Sequence, residues 1–322
     1  MKQALHYFFL LITFVLLLEN PLLGQGKFNA LQLLTDIKVL SSDEFQGRKV
    51  GSSGSKKAQE YIIKRFLDYK LMPFDGYFEQ NFAFTPAFSI NATPNTKING
   101  TNLIGYIEGK LNKDMYIVLT AHYDHLGIRN NEIYNGADDN ASGVAGLFAI
   151  AEYFQKNKPD HSLIFLAVDA EEMGLKGAYH FVDHPPVPKE KIVMNINIDM
   201  ISRNDKNEIY ACGTYHYPFL KNYMSKNTAK HEVILKYGHD VPESISGGEQ
   251  DWTFASDHGP FHKAGIPFIY FGVEDHPDYH RPTDRFETIN QVFFIKATEL
   301  ILDYVILFDK YLKAVKNDKA GK

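Results

Sequence analysis

From residue 102 onward, short apolar runs alternate with segments of helical periodicity, and this alternation restricts the chain to few folds. The runs are NLIGYIEG (102–109), MYIVLTAHYD (115–124), SLIFLAVDAEE (162–172), VMNINIDMIS (193–202) and IPFIYFGV (266–273). Between them, SGVAGLFAIAEYFQKN (142–157), LKGAYHFVDH (175–184) and YPFLKNYMSKNTAKH (217–231) read as helices. Residues 289–315 read as a long amphipathic C-terminal helix, and KKAQEYIIKRFLDYKL (56–71) as another upstream. The stretch 84–100, rich in Pro, Asn and Thr, reads as a loop or an edge hairpin. The pattern predicts an α/β sheet with helices on both faces.

Three of the predicted strands end in charged or metal-capable side chains. The run 115–121 leads into His122 and Asp124, the run 162–168 into Asp169, Glu171 and Glu172, and the run 193–198 into Asp199. Open α/β sheets place their sites beyond the carboxyl ends of the strands, so these groups are expected on one rim. To them the sequence adds Asp138 in NGADDNASG (135–143) and His280 in DYHRPTDRFETI. Imidazoles and carboxylates without thiolate suit zinc and other first-row divalent ions. Two metals sharing one carboxylate need about five such groups and activate a water. Glu171, beside the ligand candidate Glu172, is placed to act as base on that water. Asp124, two residues from His122 on the same side of a strand, is placed to fix its tautomer.

Taken singly, each element has an ordinary reading. A His–x–Asp is usually a polar strand end, an acidic DAEE a helix start, and paired aspartates an exposed turn. His125, His258 and His276 read as loop or shell histidines. The ordered arrangement on successive strand ends is what favours a site.

The stretches AHYDHLG (121–127), NGADDNASGVAGL (135–147), DAEEMGLKGAYHF (169–181), NIDMIS (197–202) and YHRPTD (279–284) resemble the co-catalytic zinc aminopeptidases, the family-twenty-eight metallopeptidases. SDEFQGRKVGSSGSKKAQEYI (42–62) and SDHGPFHKAGIPFIYF (256–271) also look like that family. The resemblance implies a three-layer α/β/α fold with a central mixed, mostly parallel sheet, and two zinc ions per chain. It implies Asp138 as the bridging carboxylate, His122 and Asp199 on one metal, and Glu172 and His280 on the other. Glu171 would be the general base and Asp124 would orient His122. Asp139 would be a supporting residue, joined to Asp138 by a cis peptide bond. The implied activity is removal of N-terminal residues from peptides with a free N-terminus. Two other readings share the scaffold: a single-zinc glutaminyl-peptide cyclotransferase and a catalytically inactive binding module. The double Asp and an isolated Trp252 argue against the first, and the full set of ligand positions against the second.

Arg281 stands where a small polar residue is commoner, which alters a pocket rim rather than ligation. The lone cysteine, Cys212, excludes an intramolecular disulfide. A net charge of −5 argues against a nucleic-acid surface. At the N-terminus, Lys2 precedes the eleven-residue apolar run Phe8 to Leu18, which Pro21 and Gly24 end. That run is too short for a bilayer, which takes about 20 residues. Residues 1–24 therefore read as a signal peptide and 25–322 as one zinc peptidase domain, exported to the periplasm or secreted. No cysteine near the boundary suggests a lipid anchor, and no stable membrane span is expected after cleavage. The sequence leaves oligomeric state and preferred N-terminal residue open.

Overall fold

The apolar runs become the middle of one sheet. A computed structural model describes residues 26–86 and 97–320; the expected signal peptide lies outside them. The strands are β1 (Met72–Pro73), β2 (Glu79–Phe84), β3 (Ile98–Ile107), β4 (Asn112–His122), β5 (Gly127–Arg129), β6 (Glu132–Tyr134), β7 (His161–Val168), β8 (Ile192–Ile198), β9 (Glu208–Cys212), β10 (Ile234–Tyr237) and β11 (Phe268–Gly272). The helices are α1 (Ala30–Leu40), α2 (Ser53–Asp68), α3 (Gly143–Lys156), α4 (Lys176–Asp183), α5 (Pro218–Met224), α6 (Glu243–Ser246), α7 (His258–Lys263) and α8 (Gln291–Ala320).

Among the described residues nine strands form the sheet in the order β1-β3-β7-β4-β8-β11-β9-β10, with β2 paired to β3, while β5 and β6 make a separate hairpin. The four central strands, β7, β4, β8 and β11, run parallel to one another. β3 joins β7, and β9 joins β11, antiparallel. The sheet is thus mixed, with a parallel centre, and the carboxyl ends of its central strands share one edge.

Strand β7 is buried along its whole length because helices cover both faces. On β4 the side chains alternate: Ile117, Leu119 and Ala121 join one core cluster and Val118 the other. The larger core holds Ile37 of α1, Phe66 of α2, Phe148 of α3 and Val305 of α8. The smaller one, on the opposite face, holds Phe181 of α4 and Phe261 of α7, with ring centroids 5.7 Å apart. These are the three layers.

Some expectations needed correction. The helix expected over 217–231 stops at Met224, and further on the Asn227 side chain accepts the Ala229 amide at 3.0 Å, a local bond that competes with helix. Strands β9 and β10 carry no strong apolar run, β10 being largely exposed, so periodicity did not mark them. The 84–100 stretch is flanked by β2 and β3, which pair antiparallel from Glu79↔Leu103 to Phe84↔Ile98. Among the described residues no helix is long and apolar enough to cross a membrane.

Candidate metal centre

Three adjacent strands deliver side chains to one rim. His122 is the last residue of β4, Asp199 follows β8 directly, and Glu171 and Glu172 follow β7. His122 Nε2 lies 3.3 Å from Asp199 Oδ1 and 3.3 Å from Asp139 Oδ1. The other oxygen of the same carboxylate, Asp139 Oδ2, lies 3.1 Å from His280 Nε2. His280 Nε2 is also 3.4 Å from Glu172 Oε1, which lies 2.8 Å from His125 Nδ1. Among the described residues two clusters capable of holding a metal result, His122–Asp139–Asp199 and His125–Asp139–Glu172, and they share Asp139.

The shared residue is therefore Asp139, whereas the sequence reading placed Asp138 there. The Asp138 carboxylate accepts hydrogen bonds from the Ser202 amide at 2.6 Å and the Ser202 hydroxyl at 2.8 Å, and lies 3.0 Å from His276 Nε2. These partners turn it away from both clusters. The cis peptide bond is Asp139–Asn140, one residue beyond the expected position. Gly136, at φ 56°, opens this irregular turn, and a Cβ there would stand 2.1 Å from the Asp139 carbonyl oxygen. Only glycine fits that approach. Asn140 closes the turn by accepting from the Gly143 and Met200 amides and donating to the Ile198 carbonyl.

His125 belongs to the second cluster. Read as a loop or shell histidine, it is buried against Glu172. Its place three residues after His122, on the loop leaving β4, was the available signal.

Other side chains fix the donors. A buried polar ladder crosses the strand ends: Asn195 Nδ2 donates to Thr120 Oγ1, Thr120 to Asn197 Oδ1, and Asn197 Nδ2 to Ser256 Oγ. Ser256 then donates to Asp199 Oδ2 at 2.6 Å and holds its second oxygen near His122. Asp124 acts differently from expectation. His122 Nδ1 meets the Asp124 backbone carbonyl at 3.1 Å, while the carboxylate Oδ1 is 3.8 Å away. That Oδ1 accepts the Glu171 amide at 3.0 Å, so Asp124 links the two strand ends.

Arg48 grips the same region from beneath. Fully buried, it donates to the carbonyls of Tyr123, Leu40, Asn135 and Gly136 at 2.6–2.8 Å. Burial lowers its pKa to about 10, with Asp139 and Asp284 among the carboxylates opposing that drop, so it stays charged at neutral pH. Arg48→Met is expected to orphan these carbonyls and cost about 3 kcal/mol or more. Urea unfolding checks this; an unchanged midpoint refutes it.

The electrostatics call for positive charge. Burial alone would raise Asp139, yet His125, His122 and His280 hold it well below the usual carboxylate range. Burial would lower His280, but Asp139 and Glu172 lift it to about 10. Burial pushes Glu171 well above the usual range, and the Asp257 and Asp199 carboxylates add to the rise against the pull of His122. Among the described residues, both His125 ring nitrogens and Glu172 Oε1 are buried without a hydrogen-bond partner, although Nδ1 and Oε1 lie close. Such orphaned atoms are costly unless a cation sits among them. The donor set of imidazole and carboxylate fits zinc, while Cys212 lies in a separate aromatic cluster.

Known proteins share this arrangement of sequence and fold. Residues 102–305 match the sequence profile of Peptidase family M28. The chain is 32% identical over 240 residues to Aminopeptidase YwaD of Bacillus subtilis (strain 168), across 70% of this chain and 47% of that protein. It thus spans about half that relative's length. In structure it resembles BSAP, described as a zinc aminopeptidase from Bacillus subtilis, with TM-score 0.64 and 20% identity over 86% of this chain and 95% of that one. A leucine aminopeptidase precursor from Bacteroides thetaiotaomicron VPI-5482 gives TM-score 0.67 and 16% identity over 88% and 99%. At these identities the structural likeness speaks for the α/β/α fold.

Proposed function

The chain belongs to peptidase family M28, and we propose that it is a zinc-dependent aminopeptidase that removes N-terminal residues from peptides. The observation that carries this reading is the pair of donor clusters sharing Asp139, with Glu171 beside them. In it Asp139, His122 and Asp199 would hold one zinc ion, and Asp139, Glu172 and His280, with His125 beside Glu172, would hold the other. When bound, such a pair lowers the pKa of a water and polarises the scissile carbonyl.

The chain's own residues do the rest. Glu171 accepts the proton of the attacking water and returns it to the leaving amine nitrogen. Asp124 holds the Glu171 backbone, and its carbonyl fixes the His122 tautomer. The buried carboxylates favour a free ammonium on the substrate. Residues 1–24, with their short apolar run, support export to the periplasm or secretion.

Purified protein is expected to release amino acid from an aminoacyl-nitroanilide, to leave the N-acetylated substrate intact, and to lose activity with chelator until zinc is restored. Ammonia release from a glutaminyl peptide without nitroanilide cleavage would instead assign the cyclotransferase reaction. Absence of both activities in zinc-loaded protein would leave a binding module.

A further inference from the structure

Asp284 stands four residues after His280 and is 1% exposed. Its Oδ1 accepts the Asp138 amide at 2.9 Å, its Oδ2 the Asp139 amide at 3.1 Å, and its backbone carbonyl the Ala137 amide at 3.3 Å. Three consecutive amides of the Asp139 turn therefore end on one residue of the His280 loop. That loop is itself closed by backbone bonds, Tyr279 to His276, Arg281 to Asp278 and Asp284 to Arg281. On the other side of the turn, Arg48 takes the Asn135 and Gly136 carbonyls. The turn is gripped by a guanidinium at its carbonyls and a carboxylate at its amides, and the two charges oppose each other across it.

We propose that Asp284 is a positioning residue that locks the Asp139 turn to the His280 loop and so sets the zinc affinity of the shared site. The proposal rests on Asp139 and His280 serving as ligands. The two are 141 residues apart in sequence, yet their ligating atoms lie 3.1 Å apart. Asp284 bonds three amides of the Asp139 turn directly from the loop that carries His280. No neutral amide replaces it, since one end of an Asn side chain would present N–H to an N–H.

The test is zinc affinity of the full chain by competition with a chromogenic chelator. Asp284→Asn is expected to weaken binding about tenfold to a hundredfold, the range for groups that orient metal ligands, with the far-UV spectrum of the zinc-free protein retained. A purely structural role would lower the melting temperature and leave zinc affinity within twofold of wild type, and that result overturns the proposal. If the variant does not fold, hydrogen exchange of the wild-type chain decides. Segments 136–142 and 276–284 should gain protection together as zinc is added, and independent protection overturns the lock. Wild-type protein that binds no zinc would overturn both the metal reading and the lock. Zinc-binding protein without aminopeptidase activity would overturn the functional reading alone.

Discussion

Glu171→Gln is expected to lower kcat about a thousandfold while zinc content and fold stay as in wild type. The amide keeps the shape of the side chain but takes no proton from water and gives none to the leaving amine. A thousandfold loss corresponds to about 4 kcal/mol of transition-state stabilisation. The neighbouring Glu172 cannot substitute, because its Oε1 lies against His125 and His280. The Glu171 backbone is tied to Asp124, so a variant side chain starts from the same position. Burial and the Asp257 and Asp199 carboxylates raise its carboxyl in the metal-free site, and a bound cation beside it would draw that back toward the ionised form that accepts a proton. Steady-state turnover at saturating substrate, with zinc measured on the same sample, is the check. Turnover within tenfold of wild type, zinc retained, would remove Glu171 from the base role.

The layers and the rim were legible because their cause is local. β4, β7 and β8 are apolar runs of strand length, and a polar end on each tells where the chain leaves the sheet. Parallel neighbours must then put His122, Asp199 and the Glu171–Glu172 pair on one edge. The direction of side chains inside a turn is another matter. Asp138 and Asp139 are chemically identical neighbours, and which one faces the donors depends on Ser202 and His276, more than 60 residues away. His125 was hidden for a similar reason: its burial against Glu172 depends on how the loop after β4 packs, and a Cβ at Gly136 would stand 2.6 Å from its ring. Asp124 was placed by strand geometry on the His122 side, but its carboxylate found the Glu171 amide instead. Spacing along a strand fixes a face; hydrogen bonds to distant backbone fix the target.

That distinction gives the sharpest comparison, between the two aspartates. Asp139→Ala is expected to reduce bound zinc to below one ion per chain and to take activity below detection, since Asp139 presents one oxygen to His122 and the other to His280. With it gone, His122 and Asp199 remain on one side and Glu172, His280 and His125 on the other, with nothing joining the halves. Removing a buried carboxylate from among three imidazoles also withdraws the charge that offsets them, so the apo protein has no compensating gain. Asp138→Ala should behave oppositely: both donor clusters keep all their atoms, and zinc stays bound. Its cost falls on stability, because the Ser202 amide and hydroxyl and His276 lose their acceptor inside the fold, about 2 kcal/mol or more. Zinc content by mass spectrometry and urea midpoints for the two variants separate metal ligation from loop anchoring. If Asp138→Ala loses zinc while Asp139→Ala keeps it, the bridge belongs to Asp138 and the assignment of the shared carboxylate is reversed.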